Sequence, residues 1–177
     1  MLVGAERVRE GMRFHFRSTW TFPSDLVAIW NAIGAVDRWP EWWTSVKNVR
    51  TIKGPTLPVA IGAIAEYRIR SPLLYHLSFR SEVIAFDLGK WLQTAIHGNL
   101  SGIGRWDFEH EDGTTRAMLA WDVAVTRPAL TRLAALGPVR SAMSWAHDRV
   151  MENGEQGLRK LLAKRKKYPQ NHENQTL

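Results

Sequence analysis

Between Ser45 and Thr126 the chain alternates apolar and polar residues with a period of two, and turn residues interrupt it at short, regular intervals. That period is the mark of half-buried β-strand. The candidate strands are 45–53, 62–70, 74–86, 90–97, 102–110 and 115–126. They are divided by Gly54-Pro55, Pro58, Gly62, Ser71-Pro72, Asp87-Leu88-Gly89, Gly98-Asn99 and Asp112-Gly113. Spacers of hairpin length join strands that run antiparallel, so the segment is held to a meander. Glu111-Asp112-Gly113-Thr114 is its clearest hairpin signal.

The flanks change the pattern. Residues 14–22 add one more period-two strand, with Phe14, Phe16, Trp20 and Phe22 on one side. Pro23-Ser24-Asp25 ends it and supplies helix-start chemistry, Ser24 as a cap and Asp25 in the first turn. Leu26, Ile29, Trp30 and Ile33 then share a helical face over 25–33, and Gly34 stands where a helix ends. Next comes Trp39-Pro40-Glu41-Trp42-Trp43, which the proline keeps out of any central strand and which predicts a short helical turn. After Pro128 the period becomes 3.6, predicting a helix from 129 to about 166 with a break at Gly137-Pro138.

On that helix Leu136, Val139, Met143, Ala146, Val150, Gly154, Gly157 and Leu161 form one stripe, with Trp145 opposite. Two glycines on a buried stripe cost helix propensity and make sense where the helix approaches another backbone closely. An antiparallel sheet with its helices segregated is an α+β domain. A sheet curved around one long helix encloses space between them. The chain organises as an N-terminal segment (1–12), one domain (13–166) and a basic, polar tail (167–177) that reads as disordered.

Composition narrows the functions. With no cysteine there is no disulfide framework, thiolate metal site or cysteine nucleophile. No run of 18 apolar residues and no signal-peptide core occur, which predicts a soluble, cytoplasmic protein. The net charge of +7 is concentrated at the C-terminal end: residues 1–158 carry 18 Lys and Arg against 16 Asp and Glu, and six further cations lie between Arg159 and Lys167. Such a cluster fits a helix C-terminus and a solvated tail, not a specific nucleic-acid groove. Without lipidation or an apolar anchor it binds membranes only marginally. The six histidines lack metal-ligand spacing, and Gly98…Gly102-Ile103-Gly104 matches no phosphate-binding loop, so no metal or cofactor is expected. Ser101-Gly102 lacks a nucleophile elbow.

The strand, the Pro-Ser-Asp helix start, the DRWPEWW box (37–43), the meander and the terminal AHDRVMENGEQGLRKLL (146–162) resemble the START-like, Bet v 1-like superfamily. Within that superfamily the chain looks most like the bacterial polyketide cyclase/dehydrase-related proteins. The resemblance spans about residues 13–166. It implies a helix-grip fold, in which seven antiparallel strands grip the C-terminal helix over an apolar cavity, with two short helices between strands 1 and 2. Members bind lipids, hormones, polyketides or other hydrophobic molecules, and some catalyse cyclisation or dehydration; fold alone does not transfer chemistry.

Nine tryptophans either build an aromatic core or line a cavity for an apolar guest. The ligand-contacting candidates are Trp39, Trp42, Trp43, Tyr67, Phe79, Trp91, Trp106, Trp121 and Met143. The charged rows Glu66/Arg68/Arg70 and Arg105/Asp107/Glu109 read as solvated sheet face. Two strands stay ambiguous. On 90–97 the row Trp91/Gln93/Ala95/His97 competes with Leu92/Thr94/Ile96, and on 115–126 Leu119/Trp121/Val123 competes with Met118/Ala120/Asp122. His147 lies about 40° from Met143 on a helical wheel, with Arg140 on the same flank one heptad earlier. His147 or His97 could move protons, and Arg140 could hold an enolate or carboxylate. The alternatives are a core histidine and a solvated arginine. These parts suit a carrier of a hydrophobic or amphipathic small molecule, or else a cyclase, dehydratase or aromatase acting on a poly-carbonyl substrate. Oligomeric state is left open.

Overall fold

The structure, a computed structural model, describes residues 13–126 and 137–167. β1 (Arg13–Phe22) leads through α1 (Leu26–Gly34), a 3-10 turn (Val36–Arg38) and α2 (Trp39–Trp42) into the meander. Its strands are β2 (Val46–Lys53), β3 (Ile64–Arg70), β4 (His76–Asp87), β5 (Trp91–Gly98), β6 (Leu100–Glu111) and β7 (Thr114–Val125). α3 (Gly137–Lys167) follows. The order across the single sheet is β1-β7-β6-β5-β4-β3-β2, every neighbour antiparallel. This is the curved seven-stranded α+β helix grip expected from the sequence. The predicted helical stretch 129–136, the segment 1–12 and the tail beyond 167 lie outside the described residues.

Local chemistry explains the corners. Asp112 and Gly113 have φ of 48° and 70°, and Glu111 pairs with Thr114. Two positive φ values in a two-residue loop match the twist of the β6 and β7 strands they join. At the other corner Asp25, not Ser24, caps α1: its carboxylate accepts from the Ala28 amide at 2.8 Å. Ser24 is buried instead, and its carbonyl accepts the Thr115 hydroxyl at 2.7 Å, tying the β1–α1 corner to β7. Gly34 is the last helical residue and Ala35 is the C-cap. A side chain at Gly34 would press on Leu57 and Val59, so close packing accounts for that glycine better than turn conformation does.

Register resolves both ambiguous strands. Leu92 and Ile96 are buried, and Leu92 stands opposite Trp106, so the row Leu92/Thr94/Ile96 faces inward. Trp91 and His97 therefore lie on the outer face, which corrects their candidacy for the cavity. Arg105 covers the Trp91 ring at 4.4 Å, and His97 is exposed. On β7 the inner row is the apolar one, with Val123 and Val125 buried. Asp122 on the outer row accepts from Arg17 at 3.0 Å and pairs with His15 at 2.7 Å. Arg17, then His15, hold its carboxyl below the usual range.

The tryptophan box joins the helix layer to the sheet. The Trp39 indole N–H donates to the Ile33 carbonyl at 3.0 Å, and that of Trp43 donates to the Val150 carbonyl of α3 at 2.8 Å. Trp43 meets Trp20 edge-on at 5.2 Å, and Trp20 meets Trp106 at 5.1 Å. Asn153 adds a polar clamp, its side-chain oxygen accepting from Thr44 and from the amide and hydroxyl of Ser45. Gly154 sits against the Trp43 and Trp20 rings, and Gly157 against the Trp42 backbone. The close backbone approach inferred from the glycine stripe is thus made with α2. No helix among the described residues is long and apolar enough to cross a membrane.

Candidate functional site

Beneath the N-terminal half of α3 the inner face leaves a cavity. β1 supplies Phe14 and Phe16, and β7 supplies Trp121, Val123 and Val125. Ile69, Leu77 and Leu100 come from β3, β4 and β6, and Ser71 and Tyr75 from the β3–β4 turn. Met143, Ala146, His147 and Val150 of α3 form the roof. The space open to the centre of a water molecule is about 70 Å³, and the space between atoms with the mouth included is about 670 Å³. The first figure exceeds several-fold the roughly 10–15 Å³ that one water needs.

His147 is the titratable imidazole of this largely apolar chamber, beside the hydroxyl-bearing Ser71 and Tyr75. Its side chain is 8% exposed, although it lies beside the apolar stripe and not on it. The ring stacks on Phe16 at 4.0 Å with planes 6° apart, and Trp121 leans on it at 6.2 Å. Nδ1 is 3.5 Å from a carboxylate oxygen of Asp148. Nε2 is buried without a hydrogen-bond partner, the one such side-chain atom found among the described residues. Burial pushes the imidazole below the ordinary histidine value of 6.5, with Asp148 opposing it in smaller measure.

That shift sets a pH dependence. Between the lowered folded value and pH 6.5 the unfolded chain binds a proton at His147 that the folded chain does not, so stability rises with pH in that window. Its contribution is complete above 6.5 and is lost as the pH falls from there toward the lower folded value. Urea midpoints measured at pH 7.5 and 5.5 should fall with acid, and fall less in His147→Phe. Equal slopes in the two proteins would show that His147 is not desolvated.

A second, smaller cavity lies further along β3 and β4. Tyr67, Ser81, Val83, Leu92 and Thr94 form its inner wall, and Val59, Ala60 and Pro55 form its loop side. Burial pushes the Tyr67 phenol up, and a hydrogen bond with Ser81 partly offsets this. Tyr67 stacks on Phe79 at 5.1 Å, and Phe79 meets Trp121 at 5.3 Å. Phe79 thus stands on β4 between Leu77 of the first cavity and Ser81 of the second.

The nominated residues thus fall into distinct places. Trp121, Met143 and His147 line the first cavity, and Tyr67 lines the second. Trp39, Trp42, Trp43 and Trp106 are buried in the core and line neither. Arg140 requires correction: it is exposed, stands over the Phe14 ring at 5.5 Å and reaches the Arg13 carbonyl at 3.5 Å, outside the cavity lining. The wheel placed it near His147, but its turn of α3 meets the edge strand β1, where water is accessible. The sequence reading missed Ser71 as a site residue because Ser71-Pro72 reads as turn punctuation, and it passed over Tyr75, although that residue shares the period-two row of Leu77 and Phe79 in the candidate strand 74–86. It recognised Phe14 and Phe16 as a strand face, and only their pairing with Val123 and Trp121 brings them to the site.

The sequence profile of the family described as polyketide cyclase / dehydrase and lipid transport matches residues 13–162. Among curated proteins no sequence matches. Among solved structures, the Zhui aromatase/cyclase from Streptomyces sp. R1128 superposes with a TM-score of 0.68 at 12% identity, covering 90% of this chain and 99% of that one. A START superfamily protein from Mycobacterium smegmatis gives 0.66 at 12%, covering 85% and 97%. At such identities the likeness speaks for the fold, while the profile spans most of the chain. The chain belongs to the polyketide cyclase / dehydrase and lipid transport family.

Proposed function

We propose that this protein binds a hydrophobic or amphipathic small molecule, lipid-like or polyketide-like, in the cavity under α3. The observation that carries this reading is the chamber itself: rings and aliphatic side chains from five strands and α3 around a single buried imidazole. Apolar walls with few, fixed polar groups are what small-molecule sites are made of. Met143 gives one wall three rotatable bonds, so the roof can adapt to a guest larger than the empty space.

Filling the chamber tests this. N-phenyl-1-naphthylamine should give a saturable fluorescence rise with the wild-type protein. Met143→Trp, which places a larger side chain in the roof, should weaken binding by at least about tenfold while the thermal transition is retained. Equal titrations of the two proteins would place the probe elsewhere and remove the support for this site.

A second reading is favoured by His147 and by the family's cyclase members. A buried neutral imidazole can take up a proton from a carbon between two carbonyls, the step that opens a cyclisation. Turnover separates the readings. A poly-β-keto substrate mimic returned unchanged leaves carriage, and an aromatic product that disappears in His147→Phe supports cyclisation.

A further inference from the structure

The geometry points to Nε2 of His147 as a hydrogen-bond acceptor that selects, among flat apolar ligands, those carrying a hydroxyl hydrogen. The ligand class is therefore phenols and enols, in preference to ethers, esters and ionised carboxylates. This inference rests on the ligand-binding reading above and specifies its chemistry.

The polarity of the site follows from the partners of the ring. Asp148 is the acceptor beside Nδ1, at 3.5 Å, and a carboxylate offers only lone pairs. The proton of the neutral imidazole therefore belongs on Nδ1, leaving Nε2 with its lone pair. Nε2 is the nitrogen that is buried and unpartnered, in a ring that lines the cavity. An unmet acceptor in an apolar surround costs free energy, which a ligand O–H recovers. At Nε2 an ether, a ketone or a carboxylate brings a lone pair against a lone pair and recovers nothing. Apolar pockets discriminate weakly by size but strongly where a buried polar group is left unpaired.

Shape adds to this. Phe16 lies flat on the imidazole with planes 6° apart, and Trp121 leans on it at 33°, so the plane of the ring is held by its neighbours. The ring plane is set before the ligand arrives, which limits the cost of binding, and the flexible Met143 beside it in the roof can give way to bring a hydroxyl to the buried Nε2. The planar walls favour an aromatic hydroxyl over a flexible alcohol. With Arg140 outside the chamber, no cation among the described residues lines this cavity to hold a carboxylate there. The acid preference that an inward arginine would have given is reversed.

The test uses three matched ligands, 1-naphthol, 1-methoxynaphthalene and naphthalene, titrated by calorimetry into wild type, His147→Phe and His147→Leu. Wild type should prefer the naphthol over its methyl ether by about tenfold. In either variant that folds, the ratio should fall to near one while naphthalene binding persists. A structural role for His147 would weaken all three ligands together and leave the ratio unchanged. Equal binding of naphthol and ether to wild type would overturn the inference while leaving the ligand-binding reading intact. A preference that survives in the variants would assign it to another group and overturn it equally. If none of the three binds wild type, the ligand-binding reading falls, and this inference with it.

Discussion

Replacing Gly157 with leucine should destabilise the protein by about 3 kcal/mol, the upper end of what overpacking costs. For a domain of this size that corresponds to a fall in Tm of roughly 6–12 °C. The first side-chain carbon at this position would overlap the Trp42 carbonyl oxygen and crowd its carbon. Backbone cannot swing aside as a flexible side chain can, so α3 would have to move off α2. That movement would loosen Gly154 from the Trp43 and Trp20 rings and the Asn153 clamp from Thr44 and Ser45. Even Gly157→Ala should lose most of this, because the clash begins at Cβ and outweighs alanine's better helix propensity of about 1 kcal/mol. Calorimetric melting of both variants checks it. An unchanged Tm would mean that α3 does not lie on the tryptophan box.

The contrast between Gly157 and Arg140 shows what the sequence makes legible. The glycine stripe carries its meaning in one helix: small residues at helical spacing require a close neighbour, whichever it is. The meander is legible for the same reason, since Asp112-Gly113 encodes a turn within four residues. Arg140 and His147 cannot be separated that way. They share a helical flank, yet one is exposed over Phe14 and the other is buried against Phe16. What divides them is where the sheet edge runs beneath the helix, and no local pattern encodes that.

β5 makes the same point from the sheet. Its two rows are nearly balanced in apolar content, and the tryptophan draws attention to the wrong one. The row is decided across the ladder, where Leu92 stands opposite the buried Trp106 and Arg105 is free to cover Trp91 from outside. The tryptophan box raised a different question, because large rings suit a core and a cavity equally. Its answer depends on how near α3 comes. With glycine at 154 and 157 the helix packs so closely that the rings of the box are enclosed, and the chamber that α3 roofs lies further up the helix, under Met143 and His147.

Trp43 is therefore expected to matter for stability rather than for the ligand. The ring is 3% exposed, touches Trp20, Trp39 and Trp42, and donates to the Val150 carbonyl. Trp43→Ala should cost about 3–5 kcal/mol, the range for emptying a buried aromatic site. Gly154 provides no side chain to fill the hole, so collapse would require α3 to shift. Trp43→Phe keeps much of the ring area and loses the N–H, a cost of about 1 kcal/mol. Denaturant midpoints should rank wild type, phenylalanine, alanine in falling order. Because Trp43 lines neither cavity, the phenylalanine variant should bind the naphthylamine probe as wild type does. Loss of binding in that variant, with folding intact, would move the ligand site from the chamber under Met143 to the tryptophan box.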